Sequence, residues 1–175
     1  GLGRAEDGAK GDEGKSAKAS LLVKDYDDVK DETAIQTKSY DITKIGKIKV
    51  YSHQKGEKPA VPLTIMIVIH RTGSPLEIPH PETAPDIYLR YGDTRKIIKP
   101  EVLYSDTEDG VVDQALDFFP TPRQVADMSK PGEIRLEIED VRSSVKGEAI
   151  DAIREMVTEW PLPLPPDPTA DDSQK

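Results

Sequence analysis

The chain has no cysteine, a single tryptophan and only two phenylalanines among its 175 residues. Without thiols there can be no disulfide framework, no cysteine nucleophile and no zinc site built on Cys ligands. No apolar run approaches the ~20 residues that a membrane-spanning helix requires. The longest, Val61–Ile69, is much shorter and is interrupted by Pro62. Positive charge is also in deficit: 24 Lys and Arg stand against 33 Asp and Glu, for a net charge of −9. Such a balance argues against a nucleic-acid backbone or an anionic membrane as partner. A glycine-rich phosphate loop is missing as well, because Gly-x-Gly occurs only at Gly1–Gly3.

What is present divides into three stretches. Residues 1–20 hold five of the twelve glycines, no aromatic residue and a cancelling set of charges. That composition cannot bury enough apolar area to fold, and it predicts a disordered linker. Residues 161–175 begin with Pro161, Pro163, Pro165, Pro166 and Pro168 and then turn acidic, which predicts a polyproline-like, disordered tail. The intervening 21–160 is long enough for one domain with one core.

Within that domain the apolar period is mostly two, the mark of strands. Thr33–Thr37, Ile45–Tyr51, Leu63–Thr72 and Ile87–Tyr91 read this way, as does Ile134–Ile138 with its alternating charges. Gly92-Asp93 predicts a tight hairpin into Thr94–Lys99, and Asp109-Gly110 predicts a second between Val102–Tyr104 and Val111–Phe119. Two segments depart from this period. Thr121-Pro122 opens a single helical turn through Met128. Ile150, Ile153 and Val157, with Met156 alongside, fall on one face of a helix over 147–160, with Ser143 or Ser144 as its cap and Pro161 as its stop. Leu63–Ile69 is apolar on both faces, which predicts a central strand under a second layer and a floor for that helix. The expected fold is mainly β: a single β-sandwich of about six to eight short antiparallel strands with a C-terminal amphipathic helix packed on it.

The ending of the domain carries a pattern-level resemblance. Glu133–Ile138, Val145 and Ala149-Ile150-Asp151-Ala152-Ile153-Arg154, preceded by the Ile87–Lys99 hairpin, resemble the close of a β-rich domain found after a low-complexity linker in bacterial exported proteins and lipoproteins. The likeness spans about residues 30–158. It departs at Glu139-Asp140, where such domains tend to place a glycine. It implies an exported location (periplasm, cell envelope or secreted) and supplies no catalytic residues.

The residues that could carry chemistry are few. Histidines occur only at 53, 70 and 80, at spacings that match neither a metalloprotease helix nor a zinc finger. Ser74 follows Gly73 and precedes Pro75, which is turn chemistry rather than a nucleophile elbow. Asp106, Glu108 and Asp109 are dense enough to hold a hard cation, and calcium is the one cofactor the sequence leaves room for. Their order fails the EF-hand template, and a solvated acidic hairpin is the plainer reading. Tyr26, Tyr51 and Tyr104 are the candidates for a carbohydrate platform. The loop Gly73–Pro85 is stiffened by Pro75, Pro79, Pro81 and Pro85, and with its approach it offers Arg71, Glu77, His80 and Glu82 as directional contacts. Against that stands the ordinary reading of a proline-rich connection.

These features point away from an enzyme and toward a protein-binding or scaffold module that meets another envelope or secreted protein. A carbohydrate- or calcium-binding sandwich is the alternative, and a hydrolase whose site only the fold would assemble is the third reading.

Overall fold

The computed structural model describes residues 19–168. The expected linker therefore lies outside the described residues as far as residue 18, as does the tail beyond residue 168. Among the described residues, eleven strands and two helices follow in the order β1 (Leu22–Asp27), β2 (Glu32–Thr37), β3 (Tyr40–Ile42), β4 (Gly46–Lys55), β5 (Thr64–Gly73), β6 (Ile87–Tyr91), β7 (Thr94–Ile98), β8 (Glu101–Glu108), β9 (Val111–Phe118), α1 (Pro122–Ser129), β10 (Glu133–Ile138), β11 (Val141–Lys146) and α2 (Glu148–Thr158). All pairings are antiparallel. One sheet runs β1-β2-β4-β5-β9-β8 with β3 appended to β4, and the other runs β11-β10-β6-β7. The protein is a β-sandwich.

Period-two patterning explains the shared core. Ile65, Ile67 and Ile69 of β5, with Ile48 and Val50 of β4 and Leu116 of β9, meet Ile87, Leu89, Ile134, Leu136 and Ile138 of the smaller sheet in one buried cluster. Two of the hairpins follow their turn residues. Gly92 at φ 59° opens the β6–β7 turn, and Asp109-Gly110 at 53° and 75° forms a two-residue turn with positive φ at both positions. Gly46 answers a different need. A Cβ there would lie 2.0 Å from the His70 carbonyl oxygen, so only glycine lets β4 start this close to β5.

Both helices close the same core. Thr121 caps α1, accepting from the Gln124 amide while the Gln124 side chain returns to the Thr121 amide. This capping box is stronger than the expected Thr-Pro start alone, and α1 runs for two turns instead of one. The expected serine cap of α2 is wrong: Ser143 and Ser144 belong to β11, and Gly147 precedes the helix with no side-chain cap. α2 lies closest to α1, with β11 and β1 beside it, and its Ile150 and Ile153 join the cluster that holds Ile65, Ile67 and Ile69 of β5. Arg154, an outward residue by periodicity, donates to the Ser129 and Lys130 carbonyls at 2.7 and 2.8 Å and so satisfies the C-terminal end of α1.

The chain on either side of the expected domain is engaged with it. The Leu21 amide and the Ser20 hydroxyl donate to the Glu155 carboxylate of α2. The proline segment expected to be a loose tail from residue 161 is placed as far as Pro168. Trp160 is buried and Leu164 packs on the core. Arg123 of α1 donates to the carbonyls of Leu164 and Pro165 at 3.1 and 2.8 Å.

Candidate functional site

The residues singled out from the sequence are dispersed rather than gathered. Arg71 and His70 are neighbours on β5, so they point to opposite faces. Arg71 turns into the sandwich, where it is 6% exposed and bonded to Gln114 and Glu139. Glu77 accepts from the Ser74 amide at 2.8 Å, and this bond to Ser74 holds its carboxyl below the usual range. Glu82 accepts from Ser105 at 2.9 Å, while His80 is exposed. Gln114 donates to the Pro81 carbonyl at 2.7 Å, and Ile78 is buried. The loop is pinned at several points, and Arg71 serves that anchoring instead of being displayed for recognition.

Asp106 and Glu108 share the outer face of β8, whereas Asp109 occupies the turn with φ 53°. No group of three or more His, Asp or Glu side chains able to hold a metal is found among the described residues. Asp106, Glu108 and Asp109 do not form such a group.

The outer face of the larger sheet brings other groups together. The His70 Nε2 meets the Asp113 Oδ1, and the Tyr104 ring lies 6.0 Å from the His70 ring. Asp117, two positions along the same face of β9 from Asp113, is 6% exposed, and its Oδ1 is buried without a partner among the described residues. Burial first, and Glu101 opposite it second, push the Asp117 carboxyl above its ordinary range. A carboxyl raised in the folded state stabilises fully only below its unfolded value, and that contribution falls as pH climbs to the folded value. Asp117→Asn should therefore raise the melting temperature at neutral pH, with the advantage shrinking toward pH ~4, near the unperturbed aspartate pKa. Thermal melts at both pH values check this; an advantage independent of pH would assign the gain to packing.

The outer face of the smaller sheet is the most unusual surface of the molecule. Ile87, Leu89 and Tyr91 of β6 point inward, so Tyr88 and Arg90 point out. The same alternation on β10 buries Ile134, Leu136 and Ile138 and turns Arg135 and Glu137 outward. Strand register then sets Arg135 opposite Arg90, and Arg90 opposite Arg95 of β7. Three guanidinium side chains thus stem from one cross-strand row, within about 10 Å, or two strand spacings. In the adjacent row Arg142 pairs with Glu137 at 2.5 Å, followed by Tyr88 and Ile97. Tyr88 and Ile97 are 48% and 59% exposed. Together these side chains line a shallow groove of about 820 Å³, completed by Lys96, Glu133 and Ser144.

Arg90, Arg95 and Arg135 form no salt bridge among the described residues. Arg90 has only a long bond, at 3.4 Å, to the Gly92 carbonyl. Like charges directly opposite on neighbouring strands destabilise a sheet. Solubility alone would be served by mixed signs. A basic row thus stands out on a protein of net charge −9.

Sequence reasoning marked Tyr88 and Arg90 as alternating with the apolar residues of their strand, and Arg135 as outward on its own. It missed the row, because β6 and β10 are more than forty residues apart and only their pairing brings the arginines into line. The chain defines an antiparallel β-sandwich with a charged sheet face. No protein-family model matches it, and no curated protein or solved structure matches it either. No helix among the described residues is long and apolar enough to cross a membrane.

Proposed function

We propose that this protein is a non-enzymatic binding module that recognises an acidic segment of another protein through the outer face of its four-stranded sheet. The observation that carries the reading is the row Arg135–Arg90–Arg95, without carboxylate partners among the described residues in a protein that is otherwise acidic. Guanidinium groups bind carboxylates through paired, charge-assisted hydrogen bonds and are weakly hydrated, which suits them to interfaces. Tyr88 and Ile97 supply apolar contact beside the row. The shallow groove fits an extended chain lying across the strands better than an enclosed small molecule. An exported or envelope setting belongs to the same proposal, supported by the likeness of domain layout described above.

The test uses a short Asp/Glu-rich peptide and a composition-matched peptide with Asn and Gln in place of the acids, with binding read by fluorescence anisotropy. The acidic peptide should bind, and more weakly as salt rises. Replacing Arg90, Arg95 and Arg135 together with Ser should weaken it by about a hundredfold or more, for the loss of several charge-assisted bonds. Because all three side chains are exposed, the melting temperature should hold or rise. Equal affinity of the triple variant for the acidic peptide would refute the reading.

A further inference from the structure

The opposite face of the molecule carries a second, separate groove. It lies on the outer surface of the larger sheet, has a volume of about 270 Å³, and shares no residue with the arginine face. Its construction follows from register. Lys47, Lys49 and Tyr51 alternate along the outer side of β4, opposite His70, Val68 and Met66 of β5. Ala115 of β9 continues the His70 row, and Tyr104 of β8 stands opposite Ala115. The small Ala115 side chain leaves a depression between Tyr104 and the β5 residues. Met66 and Val68 form an apolar floor, and Tyr51 and Tyr104 rise on its two sides.

The strand β5 was expected to be covered on both faces, but Met66 and Val68 are only partly buried and no layer of the described residues covers them. Hydrogen-bonding groups surround this floor. The His70–Asp113 pair lies at one end, Ser39 lies at the rim, and the two phenols flank it. Lys49 sits 5.0 Å from the Tyr51 ring centre, and Lys47 makes an exposed contact to Asp41 at 3.4 Å.

We infer that this groove binds a single sugar ring carrying a carboxylate, a hexuronic acid or the uronate end of a glycan. Each part of the ligand has a counterpart. Flat aromatic walls and an apolar floor accept the C–H faces of a pyranose, as they would any ring of that size. Phenol, imidazole–carboxylate and serine groups can both donate to and accept from ring hydroxyls. Two ammonium groups on β4 meet the carboxylate. The volume falls just below the ~300–1,000 Å³ typical of drug-sized ligands, which suits one ring and not a buried chain. Of the three tyrosines considered from the sequence, Tyr51 and Tyr104 come together here. Tyr26 instead bonds Asp31 near the β1–β2 turn at 2.8 Å.

The experiment is a titration of the whole protein with glucuronate, galacturonate, glucose and benzoate, followed by heteronuclear NMR and calorimetry. Uronate should shift the amide signals of β4, β5 and β8, while glucose and benzoate should bind about tenfold more weakly or not at all. Lys49→Ala and Tyr104→Ala should each weaken uronate binding by about tenfold. Their thermal transitions should be unchanged, because Tyr104 is 47% exposed and Lys49 contacts the Tyr51 ring two residues along its own strand. The Arg90/Arg95/Arg135 variant should bind uronate as the wild type does, which separates this site from the sheet face opposite. Equal binding of glucose would remove the carboxylate from the proposal. Benzoate binding without uronate binding would make this an aromatic-acid site, and no binding by any of the four would end the inference.

Discussion

Arg71→Ala should destabilise the protein by about 3 kcal/mol, the lower end of the range for breaking a buried charged pair, because Arg71 is buried but its partner Glu139 is partly open to solvent. The Arg71 Nε donates to Gln114 Oε1 at 2.7 Å, and Nη2 donates to Glu139 Oε1 at 3.0 Å. Gln114 is fully buried and spends its own amide on the Pro81 carbonyl at 2.7 Å. One guanidinium thus ties β5 to β9, to the proline loop and to the β10–β11 turn, which belongs to the other sheet.

Truncation would strand the Gln114 carbonyl oxygen without a donor and open a cavity between the sheets. It would also release Glu139, which with Asp140 forms a two-residue turn with φ of 47° and 68°. Such a turn favours Asn-Gly, and non-glycine residues hold it only when their surroundings compensate. Arg71→Met should recover part of the loss by restoring volume without the hydrogen bonds. Urea unfolding of the two variants measures both terms; a cost below ~1 kcal/mol for Arg71→Ala would mean that water satisfies Gln114 and Glu139 unaided. The same burial replaces the expectation that Arg71 is offered as a directional contact beside the proline loop.

Ile153→Asp should abolish cooperative folding or cost at least ~3 kcal/mol, since it places an unpaired carboxylate in the core. Ile153 is 2% exposed and shares the central cluster with Ile150 and Met156 of its own helix and Val125 and Met128 of α1. The damage would spread beyond α2. Arg154 closes the C-terminal end of α1, and Glu155 receives the Leu21 amide at 3.1 Å, so displacing α2 unsettles α1 and the entry to β1 together. Ile153→Val, at ~0.5–1.5 kcal/mol, provides a folded reference in the same thermal melts. A soluble Ile153→Asp protein with a wild-type transition would put the helix outside the core.

How much of this was legible follows from the range of the forces involved. The β6–β7 and β8–β9 hairpins were readable because Gly92-Asp93 and Asp109-Gly110 spell out their turns within two residues. The β10–β11 hairpin was not, because Glu139-Asp140 names no turn and is supported from outside by Arg71. β1, β3 and β11 escaped for related reasons. They are edge or appended strands, and β1 buries only Leu22 and β11 only Val145. Their sequences therefore lack the full alternation that marks a covered strand.

The candidate site was legible only in fragments. Tyr88, Arg90 and Arg135 could each be assigned an outward position from the residues beside them, since side-chain alternation is a local property of an extended chain. Whether those positions form a row depends on which strands pair and in what register, and that is decided by burial across the whole core. The sequence by itself determined a mainly β domain, the inward sets of its longer strands, and a helix whose apolar face had to be covered. Only the tertiary structure decided that α1, β1 and β11 cover that helix, that Arg71 is an internal tie, and that three arginines share one line. Turn chemistry and periodicity act over a few residues, whereas the pairing of β6 with β10 is set by the joint burial of residues more than forty positions apart.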